Sequence, residues 1–499
     1  MDSVTPDAYA ALEARFKRLL TLGEAASVLH WDSSTMMPPG GAEGRAAQIA
    51  ELSALAHSQL TNPKTGDLLK AAEDGDLNDW QRANLGLMRR RHAHATALTE
   101  AQVVALSHAS SACETIWRTA RAQNDFATVR EPLEKLLGLI RESAAAKSEA
   151  LGLSPYDALL DEFEPDGRSA DIDVLFADLE DFLPGFLDRV MAHQADSPAA
   201  TPPNGPFPVE AQRRLGIRLM ETLGFDFDHG RLDISLHPFC GGNVDDVRIT
   251  TRYDEDDYAS ALMGVLHETG HALYERGLPH DWRYQPVGGA LGMGMHESQS
   301  LLIEMQVCRS SAFLTYAAPL IAEAFAGSGP EWAHDNLHKI LTRVEPGMIR
   351  VDADEVTYPL HVILRYRLEQ ALIASDIQVS DLPAAWNDGI EKLLGIRPDT
   401  DREGCMQDIH WYDGAWGYFP TYTLGAMTAA QLFAAAQEDK PEITSGIPNG
   451  DFAPLMDWLG QNVHSLGSSL TAPELLTRAT GKPLDTAAFK AHLQRRYLG

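Results

Sequence analysis

Residues 82 to 152 are rich in Ala, Leu, Glu and Arg, and Pro132 is the one proline among them. A run of that length and composition is restricted to packed helices. Asn124-Asp125 offers a break, so the run reads as two helices packed antiparallel. The same apolar spacing recurs in Tyr9 to Leu20, where Leu12, Phe16, Leu19 and Leu20 share a face. Residues 196 to 208 hold Pro198, Pro202, Pro203, Pro206 and Pro208; they read as a surface loop or a join, with a new helix from Val209-Glu210-Ala211. One segment departs from helical spacing. Arg231 to His237 alternates, Gly241-Gly242-Asn243 suits a turn, and Asp246 to Tyr253 alternates again, which predicts a β-hairpin. With no 20- to 50-residue repeat and no low-complexity tract, the expected fold class is mainly α with a small β-sheet.

Charge narrows the partners. The 499 residues carry 71 Asp plus Glu against 41 Lys plus Arg, a formal charge of -30. Such a field repels polyanions, so neither nucleic acid nor an anionic membrane surface is an expected partner. A substrate carboxylate would need a locally cationic pocket, which makes single arginines informative. Met1 to Leu20 intersperses charges without an apolar leader core, and no segment reaches the roughly 18 uninterrupted apolar residues of a membrane span, so the expected location is cytoplasmic. Cys113, Cys240, Cys308 and Cys405 are widely spaced and are expected to be free, buried thiols.

Chemistry concentrates in His267-Glu268-Thr269-Gly270-His271. Tyr258 to Arg276 reads as one helix, with Ala259, Leu262, Met263, Leu266, Gly270 and Leu273 on an apolar or small face and Gly277 as its stop. His267 and His271, at i and i+4, stand one above the other and can share one ion. Glu268 lies about 100° around the helix, placed towards an ion-bound water rather than a ligand position. The alternative for the pentapeptide alone is a solvated or hydrogen-bonded histidine pair on an ordinary helix. A third ligand six residues beyond His271 is excluded, because position 277 is Gly. Downstream, Glu297 and Glu304 share a face of a helix beginning near Met295, and either completes a two-histidine, one-glutamate site. Glu297, nearer the helix start, is preferred; Glu304 is then an orienting or surface acid. His296 points away if Glu297 points in.

The chain resembles the carboxypeptidase Taq family of thermostable metallopeptidases. The resemblance rests on the HExxH block followed by His296-Glu297-Ser298-Gln299-Ser300. It rests also on His237-Pro238-Phe239, Asp246-Val247-Arg248-Ile249-Thr250, Ile349-Arg350-Val351-Asp352-Ala353-Asp354, and Gly404 through Gln407-Asp408-Ile409-His410-Trp411. Leu29 through Met37-Pro38-Pro39 and Gly417 through Gly425 fit as well, so the match spans nearly the whole chain in order. It implies a single largely helical peptidase domain over 1–499, with a helical N-terminal part of about 1–195, a metal-site part of about 209–499, and a deep substrate groove. It further implies a homodimer acting as a broad-specificity carboxypeptidase. His267, His271 and Glu297 would hold one divalent metal ion, zinc first with cobalt possible, and Glu268 would be the acid/base.

Around that site, His410, Tyr418 and Tyr422 lie in a segment dense in Gly and aromatics that can carry donors to a developing oxyanion. The alternative is a plain aromatic cluster with Trp411, Trp416 and Phe419. His410 and Tyr422 are the catalytic candidates and Tyr418 a substrate contact. Arg350 and Arg248 are candidates for the substrate's C-terminal carboxylate. Structural salt bridges, Arg248 with Asp246 and Arg350 with Asp354, are the alternatives. His237, ending an extended segment before Pro238, can line the groove or be structural. Two rivals remain at this point: an oligopeptidase or dipeptidyl carboxypeptidase that pairs HExxH with a distant glutamate, and a dead binding protein that has kept the groove.

Overall fold

The break at Asn124-Asp125 is a left-handed turn: Asn124 adopts φ 55°, and the Asp125 side chain caps the next helix by accepting from the Thr128 N–H. The computed structural model describes residues 7–499; Met1 to Pro6, the start of the stretch screened for a leader, lie outside the described residues. The helical run opens earlier than the sequence suggests and is cut once more. Helices span Asp79–Ala97, Glu100–Gln123 and Phe126–Leu151, and the extra cut at Thr99 is a capping box in which Thr99 and Gln102 satisfy each other's backbone N–H. Ala109, Cys113 and Trp117 recur every four residues on one helix, and Val129, Leu133, Leu136 and Ile140 every three or four on the next. Both faces join a core with Phe176 and Leu183 of helix Ser169–Ala195 and Leu360 and Ile363 of helix Tyr358–Ala374.

A second core gathers Leu215 and Leu219 of helix Val209–Leu223, Leu262 and Leu266 of helix Tyr258–Gly277, and Leu301 and Leu302 beyond helix Gly292–Leu301's start. Helix Pro420–Asp439 belongs to both cores. Leu424, Met427 and Ala430 face the first, and Ala429, Leu432 and Ala436 the second. Among the described residues, no helix is long and apolar enough to cross a membrane, and all four cysteines are free.

The small sheet corrects the hairpin expected over 231–253. Its strand order is β1-β3-β2, with β1 Gly230–Ile234, β2 Phe239–Asn243 and β3 Asp246–Thr251. β1 pairs with β3 in parallel, and only β2 forms a hairpin with β3. Gly241, Gly242 and Asn243 are therefore strand residues, and Val244-Asp245 is the turn. The Asn243 side chain sets that turn by accepting from the N–H groups of Asp245 at 2.9 Å and Asp246 at 3.1 Å. Leu232, Val247 and Ile249 pack with Val265 and Ala272, so the sheet lies against helix Tyr258–Gly277.

The chain ends in helix Ala487–Tyr497, anchored on buried Glu355 by His492 Nε2 at 2.7 Å, Arg496 Nη1 at 3.0 Å and Tyr497 Oη at 3.1 Å. Against burial, which pushes it up, His492 and Arg496 hold the Glu355 carboxyl down to about 2. Burial likewise lowers His492. Both groups bind protons more readily in the unfolded chain. The stabilisation from Glu355 is thus present above its ordinary range and fades as pH falls from about 4.5 towards about 2. Thermal melts of wild type and Glu355→Gln should differ at pH 7 and converge near pH 2.5; a constant difference across that range contradicts the linkage.

Candidate active site

Asp257 starts the helix that carries HExxH, its carboxylate accepting from the N–H groups of Ala259 at 3.0 Å and Ser260 at 3.2 Å. The helix runs to Gly277. It can approach helix Gly292–Leu301 closely because residue 270 has no side chain: a Cβ there would lie 2.4 Å from the Gln299 carbonyl oxygen. That approach brings Glu297 to the two histidines. Ligand atoms of His267, His271 and Glu297 all lie within 4.8 Å of one another. Glu297 Oε2 is 3.8 Å from His267 Nε2 and 3.4 Å from His271 Nε2. Bonds of about 2.0–2.1 Å to a tetrahedral ion need donor separations of about 3.4 Å, so this donor set fits a divalent cation.

The far side of each imidazole is held. His267 Nδ1 meets Glu304 Oε2 at 3.0 Å, and His271 Nδ1 meets the His296 carbonyl at 3.1 Å, which leaves both Nε2 atoms turned to Glu297. Glu304 is itself gripped by Arg309 Nη2 at 2.7 Å. His296 does not join the donor set: its Nδ1 lies 2.6 Å from His271 Nδ1, and its Nε2 meets Glu275 at 2.8 Å. Against burial, which lowers it, Glu297 and Glu304 raise the His267 imidazole to about 10, whereas burial takes His271 down to about 4. Glu268 is buried beside them, and burial pushes its carboxyl up to about 7.

An aromatic wall faces the donors. His410 Nε2 lies 3.1 Å from Tyr422 Oη, and Tyr418 packs edge-on against Tyr422 and Phe163 at 5.2 and 5.1 Å. Burial raises the Tyr422 phenol to about 12, and the Glu297 carboxylate pushes Tyr358, Tyr418 and Tyr422 the same way, which places all three in its field. Burial and then Arg350 lower His410 to about 4, leaving a neutral imidazole.

The arginines divide. Arg248 forks onto Asp246, with Nε at 3.0 Å and Nη2 at 2.7 Å, and lies over the Trp31 ring at 4.3 Å. Arg350 does not pair with Asp354. Its Nε and Nη2 reach Asp408 Oδ1 at 3.1 and 2.8 Å, and its guanidinium lies 4.8 Å from the Tyr422 ring centre. Arg365, fully buried, takes the other Asp408 oxygen at 2.6 Å. Two cations against one anion leave a net positive charge under the aromatic wall. His237 is exposed on the link between β1 and β2.

The sequence model of the carboxypeptidase Taq (M32) metallopeptidase family matches residues 11–497. The chain belongs to that family. Among its relatives, thermostable carboxypeptidase 1 of Thermus thermophilus is 38% identical, with 99% of each chain covered, and carboxypeptidase 1 of Bacillus subtilis is 36% identical over 96% of each. The solved structure of Trypanosoma cruzi metallocarboxypeptidase 1 superposes with a TM-score of 0.97 at 41% identity, covering 99% of both chains. An M32 carboxypeptidase from Deinococcus radiodurans gives 0.93 at 35% identity, covering 98% of both. This M32 chain is thus a metallocarboxypeptidase, a peptide hydrolase whose family implies a divalent metal.

Sequence reasoning overlooked Arg365, Tyr358 and the pairing role of Asp408. Arg365 and Tyr358 sit on or at the start of a buried helix with no local motif, and only the fold brings them to Asp408 and Arg350. It overlooked Gly425 too. A Cβ on that residue of helix Pro420–Asp439 would lie 2.8 Å from both Cβ and Cγ of Glu297. Gly425→Ala in this M32 enzyme should therefore displace Glu297 and weaken metal binding by about 10-fold or more, with a stability loss of about 1–3 kcal/mol. Metal titration beside a thermal melt checks this; unchanged affinity contradicts it.

Proposed function

We propose that this M32 enzyme removes single residues from the free C-termini of peptides with broad side-chain tolerance, using one zinc ion held by His267, His271 and Glu297. Cobalt suits the same donors. The observation that carries the reading is the convergence of those three donors within 4.8 Å, with Glu268 buried alongside. The bound ion supplies a water of lowered pKa, about 7 against about 15.7 in bulk, and polarisation of the scissile carbonyl. Glu268 takes the proton of the attacking water and returns it to the leaving amine, and its burial, which favours the protonated carboxyl, supports that exchange.

Tyr422 is the oxyanion donor and His410 sets its direction. Neutral His410 with its hydrogen on Nε2 donates to Tyr422 Oη, which turns the phenol hydrogen towards the substrate. Its Nδ1, buried without a partner among the described residues, is then an unpaired acceptor rather than an unpaired N–H. Arg350 binds the terminal carboxylate. Among the described residues its Nη1 has only a long contact to Tyr358 Oη at 3.4 Å, while Arg248 has its fork taken by Asp246 and holds a secondary place. Tyr418 and His237 complete the substrate-binding set in a deep groove.

The chain works as one domain, a reading supported by helix Pro420–Asp439 lining both cores, and as a cytoplasmic homodimer. Mass spectrometry of a peptide mixture with metal-loaded and chelated protein tests the activity: stepwise loss of single C-terminal residues is expected only with metal. Dipeptide release, or equal cleavage of peptides blocked as C-terminal amides, would favour the oligopeptidase alternative. Arg350→Met should raise KM for free-acid peptides by about 100-fold and leave the slow cleavage of amides unchanged.

A further inference from the structure

Glu304 does not sit on ordinary α-helix. Leu302–Cys308 is a π-helix, a wider turn that is rarely stable on its own. The end of any helix leaves its last carbonyls without partners. Here the Glu304 and Val307 carbonyls are taken locally, by Arg309 N–H at 3.1 Å and Ser310 N–H at 3.0 Å. The two between them are supplied from the far end of the chain: Arg496 donates from Nη1 to the Met305 carbonyl and from Nη2 to the Gln306 carbonyl at 3.1 Å. A cation at a helix C-terminus is also favoured by the helix dipole. Arg496 is held in turn by buried Glu355 at 3.0 Å, whose second oxygen takes His492 at 2.7 Å and the Gln306 amide at 3.4 Å.

We propose that Arg496, from the terminal helix Ala487–Tyr497, is a positioning residue for the metal site. By pinning Met305 and Gln306 it keeps the π turn wound so that Glu304 stays on His267 Nδ1. A π turn closes a larger hydrogen-bonded ring than an α turn. Relaxation to α would therefore rotate Glu304 about the axis, away from His267. The last helix is thereby part of the metal centre's support rather than a simple terminal clasp. The proposal rests on reading His267, His271 and Glu297 as the metal ligands.

The test is the dissociation constant for Zn2+ alone, by competition with a chromogenic chelator. The proteins are wild type, Glu304→Gln, Arg496→Ala, the double variant and Arg496→Lys. Glu304→Gln and Arg496→Ala should each weaken Zn2+ binding by about 10- to 100-fold. The double variant should bind no more weakly than Glu304→Gln alone, because the two act in series, and Arg496→Lys should recover part of the loss. Wild-type zinc affinity in Arg496→Ala, or losses that multiply in the double variant, would overturn the proposal even if the melting temperature drops. Should Arg496→Ala fail to fold, Glu355→Gln loosens the same guanidinium; zinc affinity within twofold of wild type there would overturn it equally. Unchanged affinity in Glu304→Gln would also overturn the proposal, whereas wild-type zinc affinity in Glu297→Ala would instead count against the reading of the metal site itself.

Discussion

Glu268→Gln should lower kcat for a blocked dipeptide by about 10²- to 10⁴-fold and leave one metal ion bound per chain. The amide matches the carboxylate in shape, so the packing around residue 268, which is 7% exposed, is kept. What goes is a group able to take and return a proton near neutral pH. The metal should stay because Glu268 is not among the three donors that converge. Stopped assays at saturating substrate, paired with metal analysis of the dialysed protein, give both numbers. Activity above about a tenth of wild type would remove Glu268 from the proton path, and loss of metal would make it a ligand.

Glu297→Ala should do the opposite, emptying the site. Against burial, His267 and His271 hold the Glu297 carboxyl down to about 2, so it is an anion throughout the working range. Its removal takes away one of three donors and the charge that faces both Nε2 atoms. Affinity for Zn2+ should fall by on the order of 10³-fold or more, well beyond the effect of disturbing Glu304, which touches only the outer nitrogen of His267. Dialysis against metal-free buffer followed by metal analysis should find the variant empty and the wild type loaded. A variant that keeps stoichiometric metal would mean that Glu304 can take the third position, the other assignment the sequence allowed.

The HExxH pair was legible because its geometry is local: two imidazoles four residues apart on one helix meet whatever that helix packs against. The Arg248–Asp246 pair was legible for the same reason, two residues apart on one face of β3. The partner of Arg350 was not. Asp354, four residues along, has its carboxylate occupied by the N–H groups of Val356, Thr357 and Glu345 and by the Thr357 hydroxyl. Arg350 turns to Asp408, 58 residues away, which it shares with Arg365.

Alternation in β1 and β3 told which residues are strand-like but carried no information on parallel pairing, since a strand's period is the same whichever neighbour it has. Helix content, the two histidines, the glutamate beside them and the family were thus written in short-range spacing and motif order. Glu297 was already preferred over Glu304 from its place near the helix start, but the approach of its carboxylate to both imidazoles, the cation pair under the aromatic wall, and the contact of Arg496 with the Met305 and Gln306 carbonyls came only with the tertiary structure. Each depends on contacts between residues far apart in sequence, and those are set by how whole helices pack.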